Sequence, residues 1–204
     1  MWSAYGDGPD EDEFRRMSAP ENELPVALPM NRLLARTDDL GIGLVGLQVY
    51  STGLTFELAV RIRPSAAGDD RGRSLQELFW DHSPHRATRF LLGLEFGDGR
   101  RVTNLRADAD GIVFHQGGGG GGDTAIDQSW WLSPLPPDGP LTFVVRCPEL
   151  GIGETATVLD GSAIRRAADD IVTLWPWEPP PEHRRPEPQR PPDLPPDSWF
   201  AGSA

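Results

Sequence analysis

Between residues 40 and 63 the chain alternates in hydrophobicity. Leu54, Phe56, Leu58, Val60 and Ile62 fall on one side of the repeat, and Thr55, Glu57, Ala59, Arg61 and Arg63 on the other. Successive side chains of a strand point to opposite faces of a sheet, so the pattern predicts a strand with one buried and one wetter face. Residues 40–50 read the same way through Val45, Leu47 and Val49, and Ser51, Thr52 and Gly53 supply a turn. Together they predict a long antiparallel hairpin as the nucleus of the fold.

The same two-residue period returns downstream. Phe90, Leu92, Leu94 and Phe96 mark a strand over 89–96, and Gly97-Asp98-Gly99 a tight turn into its partner over 100–105. Further strands are expected at 112–116, 128–132, 141–147 and 154–159, with a proline corner over 133–140. Pro25 and Pro29 around Val26 and Leu28 suit an edge strand or a lead-in. Residues 33–37 read as a short strand or one helical turn. Ser74 and Glu77 have capping-box spacing ahead of Leu75, Leu78 and Phe79, which predicts two helical turns crossing one end of a sandwich. Ile164, Ala167, Ala168, Ile171, Leu174 and Trp175 recur at three- and four-residue spacings. That stripe predicts an amphipathic helix, capped by Asp160 or Ser162 and stopped by Pro176. The expected fold is a two-layer antiparallel β-sandwich, immunoglobulin-like or jelly-roll-like, of about seven to nine strands with this C-terminal helix.

Charge and composition set the boundaries. The net charge is −12, and residues 1–24 hold seven acids against two arginines. Residues 1–23 read as a disordered acidic arm, 24–177 as the domain, and 178–204 as a disordered tail in which nine of 27 residues are proline. An acidic chain repels nucleic acid and anionic membrane, because phosphate binding needs clustered positive charge. No apolar run approaches the ~18 residues of a membrane span, and no secretory signal is visible, so a cytoplasmic location is expected. Lysine is absent and all 19 basic residues are arginine. With abundant Gly, Pro and Ala, this is the composition of a GC-rich bacterial genome.

Few residues offer chemistry. Asp81, His82 and His85 form the densest cluster of metal-ligand types, with His115 as a distant third histidine. Two histidines three apart across a proline do not share a helix face, so a polar loop is the expected reading. Cys147, the single cysteine, excludes an internal disulfide and a cysteine-based zinc site, and reads as a small buried hydrophobe rather than a nucleophile. The six glycines over 117–122 lack the lysine and following helix of a phosphate loop and read as a flexible linker. No cofactor or metal is expected.

Four aromatics are candidates for partner contact. Trp130 and Trp131 are strand neighbours facing opposite ways, so one ring could meet solvent, although burial under the helix or proline corner is favoured. Trp199 and Phe200 lie beyond a spacer holding two P-x-x-P segments, like a tethered short motif. These features point to a non-enzymatic interaction or scaffold module. The alternatives are a sugar-like ligand stacked on Trp130 or Trp131, or an enzyme using Asp81, His82, His85 or His115.

Pro134-Leu135-Pro136-Pro137 through Gly139-Pro140-Leu141-Thr142-Phe143, with Gly151-Ile152-Gly153-Glu154-Thr155 and the helix after it, resembles an uncharacterised family of small β domains from GC-rich bacteria. The resemblance covers roughly residues 24–177, the extent of the expected domain. It implies a small β domain and carries no activity or site residue.

Overall fold

The computed structural model describes residues 11–67, 75, 79, 90–105, 108–109 and 111–179. Twelve strands run through them: β1 (Glu23–Leu24), β2 (Val26–Arg36), β3 (Leu40–Tyr50), β4 (Gly53–Ile62), β5 (Leu91–Glu95), β6 (Arg101–Thr103), β7 (Asp108–Ala109), β8 (Ile112–Gly121), β9 (Ala125–Ser133), β10 (Pro140–Cys147), β11 (Ile152–Asp160) and β12 (Val172–Thr173). Six of them form one antiparallel sheet in the order β2-β3-β4-β9-β8-β7, and four form a second in the order β11-β10-β5-β6. The two sheets stack as a β-sandwich, and β1 pairs with β12 as a small ribbon apart from both.

The expected hairpin is β3–β4, closed by Tyr50 opposite Gly53. All five apolar residues from Leu54 to Ile62 are buried. The alternation on β3 breaks once. Leu44 pairs with Leu58 but Leu47 with Phe56, so three steps on β3 match two on β4. The extra residue is a bulge at Gly46, whose φ of 82° suits glycine. Leu40, Ile42 and Leu44 face inward before it, Leu47 and Val49 after it, and Val45 turns outward. Val45 is thus corrected from core to surface.

Between the layers the aromatic rings stack in series. Phe56 of one sheet meets Phe143 of the other edge-on at 5.1 Å, while Phe114 lies 6.4 Å from Phe56 and 5.1 Å from Trp130. Burying each such ring contributes about 1.5–3 kcal/mol. Leu75 and Phe79, both helical and buried, join this core. At one edge Thr155 Oγ1 of β11 donates to Leu34 O of β2 at 3.0 Å, which ties the two sheets together.

Two further expectations are corrected. The glycine run is not a linker: most of it is the second half of β8, with Gly119, Gly120 and Gly121 paired to Gln128, Asp127 and Ile126. A strand with no side chains lacks the period that reveals a strand, and its partner β9 imposes the ladder. The long amphipathic helix is one short helix, Gly161–Ala167, followed by a 3-10 turn, Ala168–Asp170, and then β12. Asp169 and Asp170 stand where a helix C-terminus disfavours negative charge, and the β-branched run Ile171-Val172-Thr173 favours an extended chain. Within residues 11–24 the chain has a helix at Glu11–Arg16 and the short strand β1.

Candidate functional site

The corrections converge on one corner of the molecule. After the helix Gly161–Ala167, capped by the Asp160 side chain on Ser162 N at 3.0 Å, the chain turns into β12 and runs on to Pro179. There it meets the N-terminal segment. Leu24 pairs with Val172 and Glu23 with Thr173. Leu174 N donates to Asn22 O, and Asn22 Nδ2 donates to Trp175 O, each at 2.8 Å. The Arg15 guanidinium lies over the Trp177 ring, 5.2 Å from its centroid, a cation–π contact.

The same N-terminal segment is fastened to the sandwich by side chains that reach up from it. Trp131 Nε1 donates to Arg16 O at 2.7 Å, and His115 Nε2 lies 2.8 Å from Met17 O. Glu23 accepts from the Ser51 backbone N–H at 2.9 Å and from the Ser51 hydroxyl, which anchors β1 to the β3–β4 turn.

What results is a cleft of about 270 Å³ whose lining includes Phe14, Arg15, Asn22, Trp175, Trp177 and Glu178. Its rim is apolar. Among the described residues, six of the ten exposed large hydrophobic side chains belong to the two terminal segments: Phe14, Met17, Leu24, Val172, Leu174 and Trp175. The other four are separate from these: Leu33, Val45 and Val158 on β2, β3 and β11, and Leu105 in the turn after β6, the ordinary condition of a protein surface. Trp175 is 53% exposed. Asn22 is only 7% exposed, and its Oδ1 is buried with no donor among the described residues. A buried amide oxygen without a partner carries a desolvation cost, so it stands ready to accept a hydrogen bond if the cleft opens.

The sequence candidates fare differently. Trp130 and Trp131 are 4% and 2% exposed, so neither ring is offered to a sugar or a partner. Trp130 packs on Phe114 inside the sandwich, and Trp131, on the opposite face, is covered by the N-terminal segment and by Tyr50 at 5.9 Å. Asp81, His82, His85, Trp199 and Phe200 lie outside the described residues. His115 has both ring nitrogens against backbone carbonyls, Met17 O and Gln116 O. Among the described residues no group of three His, Cys, Asp or Glu side chains is placed to hold a metal ion. Cys147 is buried at the end of β10, and burial pushes its thiol up to about 11, so the nucleophilic thiolate is scarce at neutral pH.

Phe14, Arg15, Asn22, Trp175 and Trp177 were not singled out by pattern. The pattern places Trp175 in the helix stripe and Trp177 at the last position of the expected domain, while Phe14, Arg15 and Asn22 fall in the arm expected to be disordered. The signal that could have found them is the paired Asp169-Asp170 followed by the β-branched run, which ends the helix before Trp175. Comparison with known proteins gives no match to a family model, to a curated protein or to a solved structure. Among the described residues no helix is long and apolar enough to cross a membrane.

Proposed function

We propose that this chain is a non-enzymatic protein-interaction module whose contact surface is the corner where the two terminal segments pair. The supporting observation is that Phe14 and Trp175, both exposed, line one cleft and Leu24 and Val172 are exposed as a cross-strand pair, on elements that are themselves held by hydrogen bonds. Contiguous exposed apolar side chains with a polar rim are the composition of a docking surface, and tryptophan is the residue most enriched among energetic anchors. Arg15, Glu21 and Glu178 give the rim charge of both signs.

Affinity capture with the full chain and with the Phe14→Ala/Trp175→Ala double variant tests the reading. Partners held by the native chain and released by the variant, at equal thermal stability, are the expected result; an unchanged partner set overturns it. A chain ending at residue 179 isolates the contribution of Trp199 and Phe200. The exposed Trp175 ring also supports a second reading, a flat sugar-like ligand. A change in tryptophan fluorescence on titration with glycans, absent from Trp175→Ala, would favour that reading instead.

A further inference from the structure

The six-stranded sheet ends at β8, and the short β7 accompanies it only at Ile112 and Val113. Residues 117–121, all glycine, are exposed, and among the described residues no strand pairs with their outer edge. The direction of their polar groups follows from the hairpin. Gly122 N donates to Ala125 O at 2.8 Å. Along an antiparallel ladder, residues aim their N–H and C=O alternately toward the partner and away from it. Gly120, opposite Asp127, therefore turns its groups to β9, while Gly119 and Gly121 turn theirs to the open side.

Exposed edges are normally blunted by lysine, proline, inward charge or a bulge. This one has only the bulge between Gln116 and Gly119, which leaves 119–121 in regular register. Nor does the fold demand glycine throughout. A Cβ at Gly121 would lie 2.5 Å from Ala125 O, but a Cβ at Gly118 or Gly120 would meet nothing within 4 Å. The bare backbone at those two positions keeps a shelf open beside β9.

We propose that this glycine edge is a β-augmentation site that takes an extended, basic segment of a partner protein as an added strand. Main-chain groups of Gly119 and Gly121 supply the hydrogen bonds, and pockets for alternate side chains supply the choice of partner. With no glycine side chain in the way, side chains of the incoming strand lean across the shelf toward Ser129; Asp127 beside it is already paired with Arg61 at 2.7 Å, so the attraction for a basic strand falls to other acids. Glu57, opposite Ser129 on β4, and Asp123 in the hairpin turn add exposed negative charge. A second copy would set these acids against their own kind in a chain of net charge −12, so a basic segment is the fitting occupant.

The test is amide hydrogen exchange by NMR on the full chain. The probe is a capped octapeptide alternating arginine and valine, with its glutamate–valine counterpart as control. Saturation with the basic probe is expected to slow exchange at Gly119 and Gly121 and leave Gly120 unchanged. The Gly118→Lys/Gly120→Lys variant, whose new side chains have room, is expected to melt as the native chain does and to bind about tenfold more weakly. The proposal is overturned if the basic probe fails to bind, binds without protecting Gly119 and Gly121, binds no better than the acidic one, or binds the variant equally well. Sedimentation showing a dimer in which both amides are already protected would give the edge to a second copy and also overturn it.

Discussion

The sandwich interior and the terminal corner are both rich in aromatic side chains, and they use them in opposite ways. Phe56, Phe114, Phe143 and Trp130 touch one another across two layers and lose nearly all contact with water. Phe14 and Trp175 are ordered by backbone hydrogen bonds and a two-residue ribbon, yet keep much of their surface in solvent. The interior rings hold the fold through burial. At the corner the backbone is secured by Asn22, Glu23, His115 and Trp131, so the rings need not pack to stay in place. Apolar area that does not stabilise the monomer remains free to stabilise a complex.

The widest separation between the two regions should come from truncating one ring in each. Phe56→Ala is expected to cost about 3–5 kcal/mol, through lost transfer energy and the cavity left behind. Phe14→Ala or Trp175→Ala should stay within about 0.5 kcal/mol of the native chain. Chemical denaturation of the three variants measures both, and a large cost at Phe14 or Trp175 would show that the corner is core after all.

A change of titration state should cost less. Cys147 rises from 9.0 to about 11 on folding because burial disfavours the thiolate. The folded chain then keeps a proton that the unfolded chain releases, so this contribution is whole below pH 9 and is lost as pH climbs toward 11. It amounts to about 2–3 kcal/mol, and Cys147→Ala should flatten stability over that window. A native chain equally stable at both ends of the window would contradict the burial argument.

Adding a methyl group tests how tightly the two regions are joined. The Cβ of Gly53→Ala would lie 2.3 Å from Leu132 O and 2.8 Å from the Trp131 ring. Overpacking of this kind costs about 1–3 kcal/mol. Since Trp131 also holds Arg16 O, the strain should loosen the N-terminal helix, seen as faster amide exchange around Arg16. The smallest effect is optical. Trp175→Ala should remove a large part of the fluorescence that acrylamide can quench, while Trp130 and Trp131 stay protected.

How much of this was legible follows from where side chains report their surroundings. From Leu54 to Ile62 on β4, and along β5, the period of two is unbroken, and the buried residues match it one for one. On β3 one bulge at Gly46 shifts the parity, which alternation alone cannot register. The glycine half of β8 has no side chains to read, and its strand character comes from β9. The stripe from Ile164 to Trp175 is a sound helical pattern for its first half only, because Ile171-Val172-Thr173 fits an extended chain as well. The terminal corner was hidden for a different reason. Each of its halves is too short and too polar to order itself, and order arises only when β1 finds β12 some 150 residues away in sequence. The cleft is a property of that meeting and is written in neither segment alone.

Because Glu23 and Leu24 lie directly against Thr173 and Val172, the chain enters and leaves the domain at one place. A circular permutant that joins these two ends and opens the Gly97–Gly99 turn would keep every ladder of the sandwich. The same adjacency lets the domain be spliced into a surface loop of a host protein with little separation of the host's cut ends, and the aromatic cleft would then sit at the seam.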